Sequence, residues 1–136
     1  MDNHEHWEDI AQYDLETAKA MLSSGRFLCV VFMCQQSIEK IIKGLFVLHK
    51  GEEAPRTHNI NLIFRSLFED STLIDAIARQ SEYASFFIQL HAYYISERYP
   101  SYREKLSSTI NQELAEEVLE KTEEVFAWLQ SLAKFK

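Results

Sequence analysis

Apolar residues recur at three- and four-residue steps through almost the whole chain, the spacing of one face of an α-helix. Over residues 4 to 23 the stripe is Trp7, Ile10, Ala11, Leu15, Ala18, Met21 and Leu22, with Asp14 falling beside Leu15, and Gly25 ends the helix. A longer helix is predicted from Arg26 to Lys50, with Phe27, Val30, Val31, Cys34, Ile38, Ile41, Ile42, Leu45 and Leu48 on one face and Gly51 and Pro55 closing it. Thr57 or Asn59 caps a third, shorter helix with Ile60, Ile63, Phe64, Leu67 and Phe68 inward, and Asp70 or Ser71 starts another turn or two through Ile77. From about Ser81 to Glu97 the inward stripe turns aromatic, through Tyr83, Phe86, Phe87, Leu90 and Tyr94. Pro100 disfavours helical geometry at Tyr99, so that helix stops there. After a stretch rich in Ser, Tyr and charge, Asn111 caps a final helix with Leu114, Val118, Val125, Leu129 and Leu132 inward.

Three Gly and two Pro in 136 residues are too few turn formers for an all-β fold. The expected class is therefore all-α, an antiparallel up-and-down bundle of four to five helices forming one domain over residues 1–136. With 46% apolar residues the chain is not a disordered one, and at this length it buries roughly two-thirds of its unfolded surface without metal or disulfide. Cys29 and Cys34, five residues apart on one helix, point to different faces and do not bridge each other, which suits a reducing cytoplasm. The acidic, polar start lacks the basic and apolar runs of a secretion signal, and no stretch has the length of a membrane span. A cytoplasmic protein with no membrane contact is expected.

Net charge is -7, which argues against nucleic-acid binding through overall charge. The distribution changes that picture. Residues 2 to 16 hold six acids and no Lys or Arg, and residues 113 to 136 hold six Glu against three Lys. Between Lys19 and Lys105 there are eleven basic and nine acidic residues, leaving room for a locally positive site.

The second helix carries one such cluster. Gln36, Lys40 and Lys43 fall within about 60° of one another, with Glu39 at the edge of the same face, and Cys29, Phe32, Met33, Phe46 and Val47 flank them. Two accounts fit. Glu39 and Lys43 form a solvated i,i+4 pair, or the quartet is a polar island inside an apolar interface that sets dimer register or lines a ligand cavity. On the second account Phe32, Met33 and Glu39 form a homodimer seam.

The other cluster is His91 to Lys105, HAYYISERYPSYREK, with four Tyr, two Arg and a Pro at a helix end. Arg98 complements the helix dipole there. Arg98 and Arg103 also offer bidentate phosphate donors beside the flat rings of Tyr99 and Tyr102, a combination that binds unstacked nucleotides.

The run FLCVVFMCQQSIEKIIKGLF, then His58-Asn59-Ile60 with Leu62, then Glu97-Arg98-Tyr99-Pro100, resembles the HEPN domain family, in its small prokaryotic type often encoded beside a nucleotidyltransferase. The resemblance spans Asp14 to the last helix and implies a helical bundle that commonly homodimerises. It maps Arg98, Tyr99 and Pro100 onto the family's Arg-Tyr-Pro corner, Gln36, Glu39, Lys40 and Lys43 onto its central helix, and His58 onto its His at the start of the third helix.

Two functions follow from the resemblance. Many members are metal-independent ribonucleases or toxins with an Arg, four to six intervening residues and a His. Here those positions after Arg98 are Arg103, Glu104 and Lys105, so the imidazole that would activate a ribose 2′-hydroxyl is missing. Other members resemble nucleotide- or RNA-binding partners that support or neutralise a nucleotidyltransferase. The expectation is the second function, with Arg98, Tyr99, Pro100, Tyr102, Arg103, Gln36, Lys40 and Lys43 around the ligand. The alternatives are an endoribonuclease toxin using Arg98 with His58, and a ligand-free dimeric scaffold.

His4, His6, Glu8 and Asp9 have metal-ligand chemistry, but acids at a helix start are explained by the helix dipole. No CxxC, HExxH, GxxxxGK[ST] or GxGxxG motif occurs. Neither a metal nor a cofactor is expected.

Overall fold

The computed structural model of the chain describes residues 3–68 and 74–135. Among them are six α-helices, α1 (His4–Ser23), α2 (Phe27–Lys50), α3 (Ile60–Phe68), α4 (Ile74–Arg98), α5 (Pro100–Thr109) and α6 (Gln112–Ser131), a closing 3₁₀ turn, Leu132–Phe135, and no strand. The all-α class holds, with one helix more than expected. The additional helix is α5, in the Ser- and Tyr-rich stretch read as a connection. Its helical start follows from Pro100 at the first helical position, where the missing N–H costs nothing. The turns predicted between Asp70 and Ile77 merge at their far end into α4; Asp70 and Ser71, and the inward setting of Phe68, lie outside the described residues.

Local chemistry accounts for the other ends. Asn3 and Asn111 cap α1 and α6, accepting from His6 N at 2.9 Å and Leu114 N at 2.9 Å. Asn59 plays the same part for α3, accepting from Leu62 N at 3.3 Å, while Thr57 accepts from the Asn59 amide. Gly51 ends α2 in the left-handed region, φ +68°, which a side chain would oppose.

The centre of the bundle is α2, which packs against α1, α3, α4 and α6. Fourteen of its residues are buried, which explains its nearly all-round apolar pattern. Its closest neighbour is α1. Gly44 makes that approach possible, because a Cβ there would stand 2.9 Å from Trp7 Cβ and 3.3 Å from the His4 carbonyl oxygen. Val30, Ile38, Ile41, Ile42, Leu45, Phe64, Phe87, Leu90, Val125 and Leu129 form the core, and Tyr83, Phe64 and Trp128 close it between α3, α4 and α6.

A buried polar network and an exposed arginine corner

The polar quartet of α2 faces neighbouring helices. Glu39 is 3% exposed and Lys43 8%, so the solvated-pair account is excluded. The Glu39 carboxylate accepts from Lys43 Nζ at 3.1 Å, from Gln35 Nε2 at 2.9 Å and stands 3.0 Å from His58 Nδ1. Gln36 Nε2 donates to Gln35 Oε1 at 2.6 Å, and Lys40 Nζ reaches across to Asp14 Oδ2 on α1 at 2.6 Å. Ser37 ties α2 to the Ala11 carbonyl at 2.9 Å. A carboxylate this deeply buried is tolerable because Lys43 neutralises it and its oxygens are occupied.

Two sequence expectations change as a result. Lys43 faces inward and is spoken for, and Lys40 and Gln36 are half-buried with intramolecular partners, so none of the three stands open as a ligand contact. Glu39 lies inside one chain, where a second copy cannot reach it. Phe32 and Met33, about one turn before Gln36 on α2, are half-buried. Gln35 and Asp14 complete the network. Gln35, fully buried and next to Gln36, carries no periodicity signal of its own, and Asp14 falls in the α1 stripe beside Leu15 without marking a partner.

The network reaches the chain's exposed corner through two rings. His58 is half-exposed, its ring stacks on Tyr94 with centroids 4.5 Å apart, and the Arg98 guanidinium sits 4.6 Å from the centre of the same Tyr94 ring. Phe32 and His91 also lie parallel to Tyr94, at 6.3 and 6.4 Å. Arg98 and Tyr94 are one helical turn apart, a spacing that puts a cation over a ring. That i,i+4 spacing is present in the sequence, where Tyr94 also falls in the core stripe. His58, far from Arg98 along the chain, is brought within one aromatic ring of it.

At the corner itself, Tyr99 is extended (φ -112°, ψ 119°), as the residue before a proline should be, and α5 restarts at Pro100. No side chain caps the first turn of α5, so its leading amides point outward with the positive end of the helix dipole. Tyr99 and Tyr102 are each 55% exposed and meet edge to face at 5.9 Å. Arg98, Pro100, Arg103 and Ser107 line a cavity of about 470 Å³, with Glu97, Glu104 and Leu28 completing the wall. Arg103 pairs with Glu97 at 3.6 Å, too long for a bidentate contact, which leaves its donors available. Arg98, Pro100 and Arg103 thus share one cavity, with Tyr99 and Tyr102 exposed beside its Pro100 rim.

Among the described residues no group of three or more His, Cys, Asp or Glu is placed to hold a metal ion, and His4 instead pairs with Glu8 at 3.3 Å. No helix among them is long and apolar enough to cross a membrane. Comparison with curated proteins and with solved structures finds no match. The family model for the HEPN domain matches residues 4–132, nearly the whole chain. The all-α bundle formed by the described residues agrees with that match, and the chain belongs to the HEPN domain family.

Proposed function

We propose that the chain is a phosphate-reading HEPN module that binds a nucleotide or RNA at the Arg98 corner, acts as a homodimer in the cytoplasm and partners a nucleotidyltransferase. The observation that carries the binding reading is Arg98 itself. Its guanidinium is held over Tyr94 at the edge of a cavity it shares with Arg103, next to the uncapped N-terminal turn of α5. Planar donors and free amides suit a phosphate, and the exposed rings of Tyr99 and Tyr102 suit an unstacked base.

Arg98→Ala tests it. The variant should lose at least tenfold in affinity for ADP or single-stranded RNA while its melting temperature moves by only a few degrees, since Arg98 is outside the core. Unchanged affinity, or a collapse in melting temperature, would make Arg98 a helix-end cation and nothing more.

The Glu39–His58 hydrogen bond favours a second reading. Glu39 holds Nδ1 and leaves Nε2 of a half-exposed imidazole available, one ring away from Arg98. On this reading the imidazole takes the proton of a ribose 2′-hydroxyl as its oxygen attacks the adjacent phosphorus; the P–O5′ bond breaks and the 5′-oxygen takes a proton from water, giving a 2′,3′-cyclic phosphate and a 5′-hydroxyl end. RNA cleavage that survives chelator and disappears in His58→Ala would establish this activity; intact RNA at stoichiometric protein would remove it.

A further inference from the structure

A second, smaller cavity abuts the arginine corner. It measures about 140 Å³ and its walls are Met21, Leu28, Cys29, Phe32 and Met33, with Thr17 at one side. Glu97 and Arg103 border it, and these two residues with Leu28 border the larger cavity as well. The Glu97–Arg103 pair is therefore a partition between an apolar slot and a phosphate-type pocket. The slot's size is informative: an engineered apolar cavity of roughly 150 Å³ takes one benzene ring. Two thioethers and a phenyl ring are good partners for the faces of an aromatic ring. A purine is too large for it.

Resting on the reading that phosphate binds at the Arg98 corner, we propose that this slot receives the base of a pyrimidine nucleotide, cytosine in preference to uracil, with Glu97 and Arg103 reading its edge. The choice of base follows from donors and acceptors. Cytosine presents an N4 amino donor beside two acceptors, N3 and O2. A carboxylate accepts from N4, and a guanidinium fork spans N3 and O2. Glu97 and Arg103 offer that pair at the mouth of the slot, and their mutual contact of 3.6 Å is loose enough to be exchanged for base contacts. Uracil offers an oxygen in place of the amino group, facing the Glu97 carboxylate with no proton between them.

The test is calorimetric titration of the full chain with CMP, UMP, GMP and ribose 5-phosphate. CMP should bind at least tenfold more tightly than ribose 5-phosphate and GMP, and severalfold more tightly than UMP. Cys29→Trp, which fills the slot from its exposed rim, should reduce CMP to the affinity of ribose 5-phosphate and leave ribose 5-phosphate itself unchanged. Glu97→Gln should erase the preference for CMP over UMP while CMP still exceeds ribose 5-phosphate. Tighter binding of the trinucleotide UCU than of CMP supports the slot with RNA as the source of the base. Equal affinities for all four ligands, abolished by Arg98→Ala, would overturn the slot and keep the phosphate corner. No binding by any of them would overturn both. A dimer that dissociates on Cys29→Trp, with no base preference in the wild type, would also overturn the proposal and assign the slot to a second copy of the chain.

Discussion

Glu39→Leu is the sharpest probe of the architecture. The substitution removes the carboxylate that Lys43, Gln35 and His58 share and replaces it with a side chain of similar bulk. Lys43, with only 10% of its side chain exposed, is then a buried cation without its counter-charge, and the fully buried Gln35 amide loses its acceptor. Removing one partner of a buried pair costs about 3–5 kcal/mol, far more than the pair itself contributes against an apolar replacement. A domain of this length loses about 3–4 °C of melting temperature per kcal/mol, so the expected fall is about 10–17 °C in differential scanning calorimetry. Lys43→Met leaves Glu39 with two of its three partners and should cost less. The double variant should then be more stable than the sum of the single changes predicts, by at least about 1 kcal/mol, because the stranded cation is gone. A fall of under about 3 °C for Glu39→Leu, or single effects that simply add, would refute the buried network.

Three further outcomes are expected. Gly44→Ala should lower stability by about 1–2 kcal/mol, the strain of pushing Trp7 and α1 away exceeding the gain of about 1 kcal/mol in helix propensity; a higher melting temperature would disprove the close helix approach. Iodoacetamide should label the folded chain once, at the exposed Cys29, and reach the buried Cys34 only on unfolding, as read by mass spectrometry; two rapid labels would contradict the burial. Burial pushes the Cys34 thiol up from an ordinary 9.0 to about 12, against the lowering effect of its Thr122 hydrogen bond. The unfolded thiol has shed its proton above pH 9 while the folded one keeps it, so stability falls between those values by at most about 1.4 kcal/mol per pH unit, and Cys34→Ala should flatten that part of the pH curve in urea titrations.

Periodicity carried the helices because burial is periodic. Trp7 through Leu22, the long stripe from Phe27 to Leu48 and the caps Asn59 and Asn111 each mark a local preference that packing reinforces. The almost all-round apolar surface of α2 left open a central helix or half of a dimer seam, and its packing against α1, α3, α4 and α6 places it at the centre. What hid from view was the direction of its polar face. A helical wheel puts Gln36, Glu39, Lys40 and Lys43 opposite the main stripe, yet that face is covered by α1 and by His58 from the start of α3. Gln35 and Lys43 satisfy part of it from within α2, but its burial is not revealed there, because the covering partners Asp14 and His58 are distant in sequence. The corner is readable in part: Pro100 fixes the turn, but the Ser- and Tyr-rich stretch after it has weak helical periodicity and masks the role of Pro100 as the first residue of α5.

None of the ten residues of α5 is fully buried; Leu106 packs against the core from its edge, and the helix is otherwise held by packing on α4. Substitutions along this helix at positions other than Leu106 should therefore be nearly neutral for stability, within about 0.5 kcal/mol, whereas most changes along α2 are punished. Arg103, Glu104 and Ser107 nonetheless face the cavity that Arg98 lines. If the proposed binding at the Arg98 corner holds, the fold separates durability from selectivity: its most expendable helix supplies a wall of the proposed recognition surface. Descendants of such a chain can retune what they recognise through single replacements in α5, without a compensating change anywhere in the bundle.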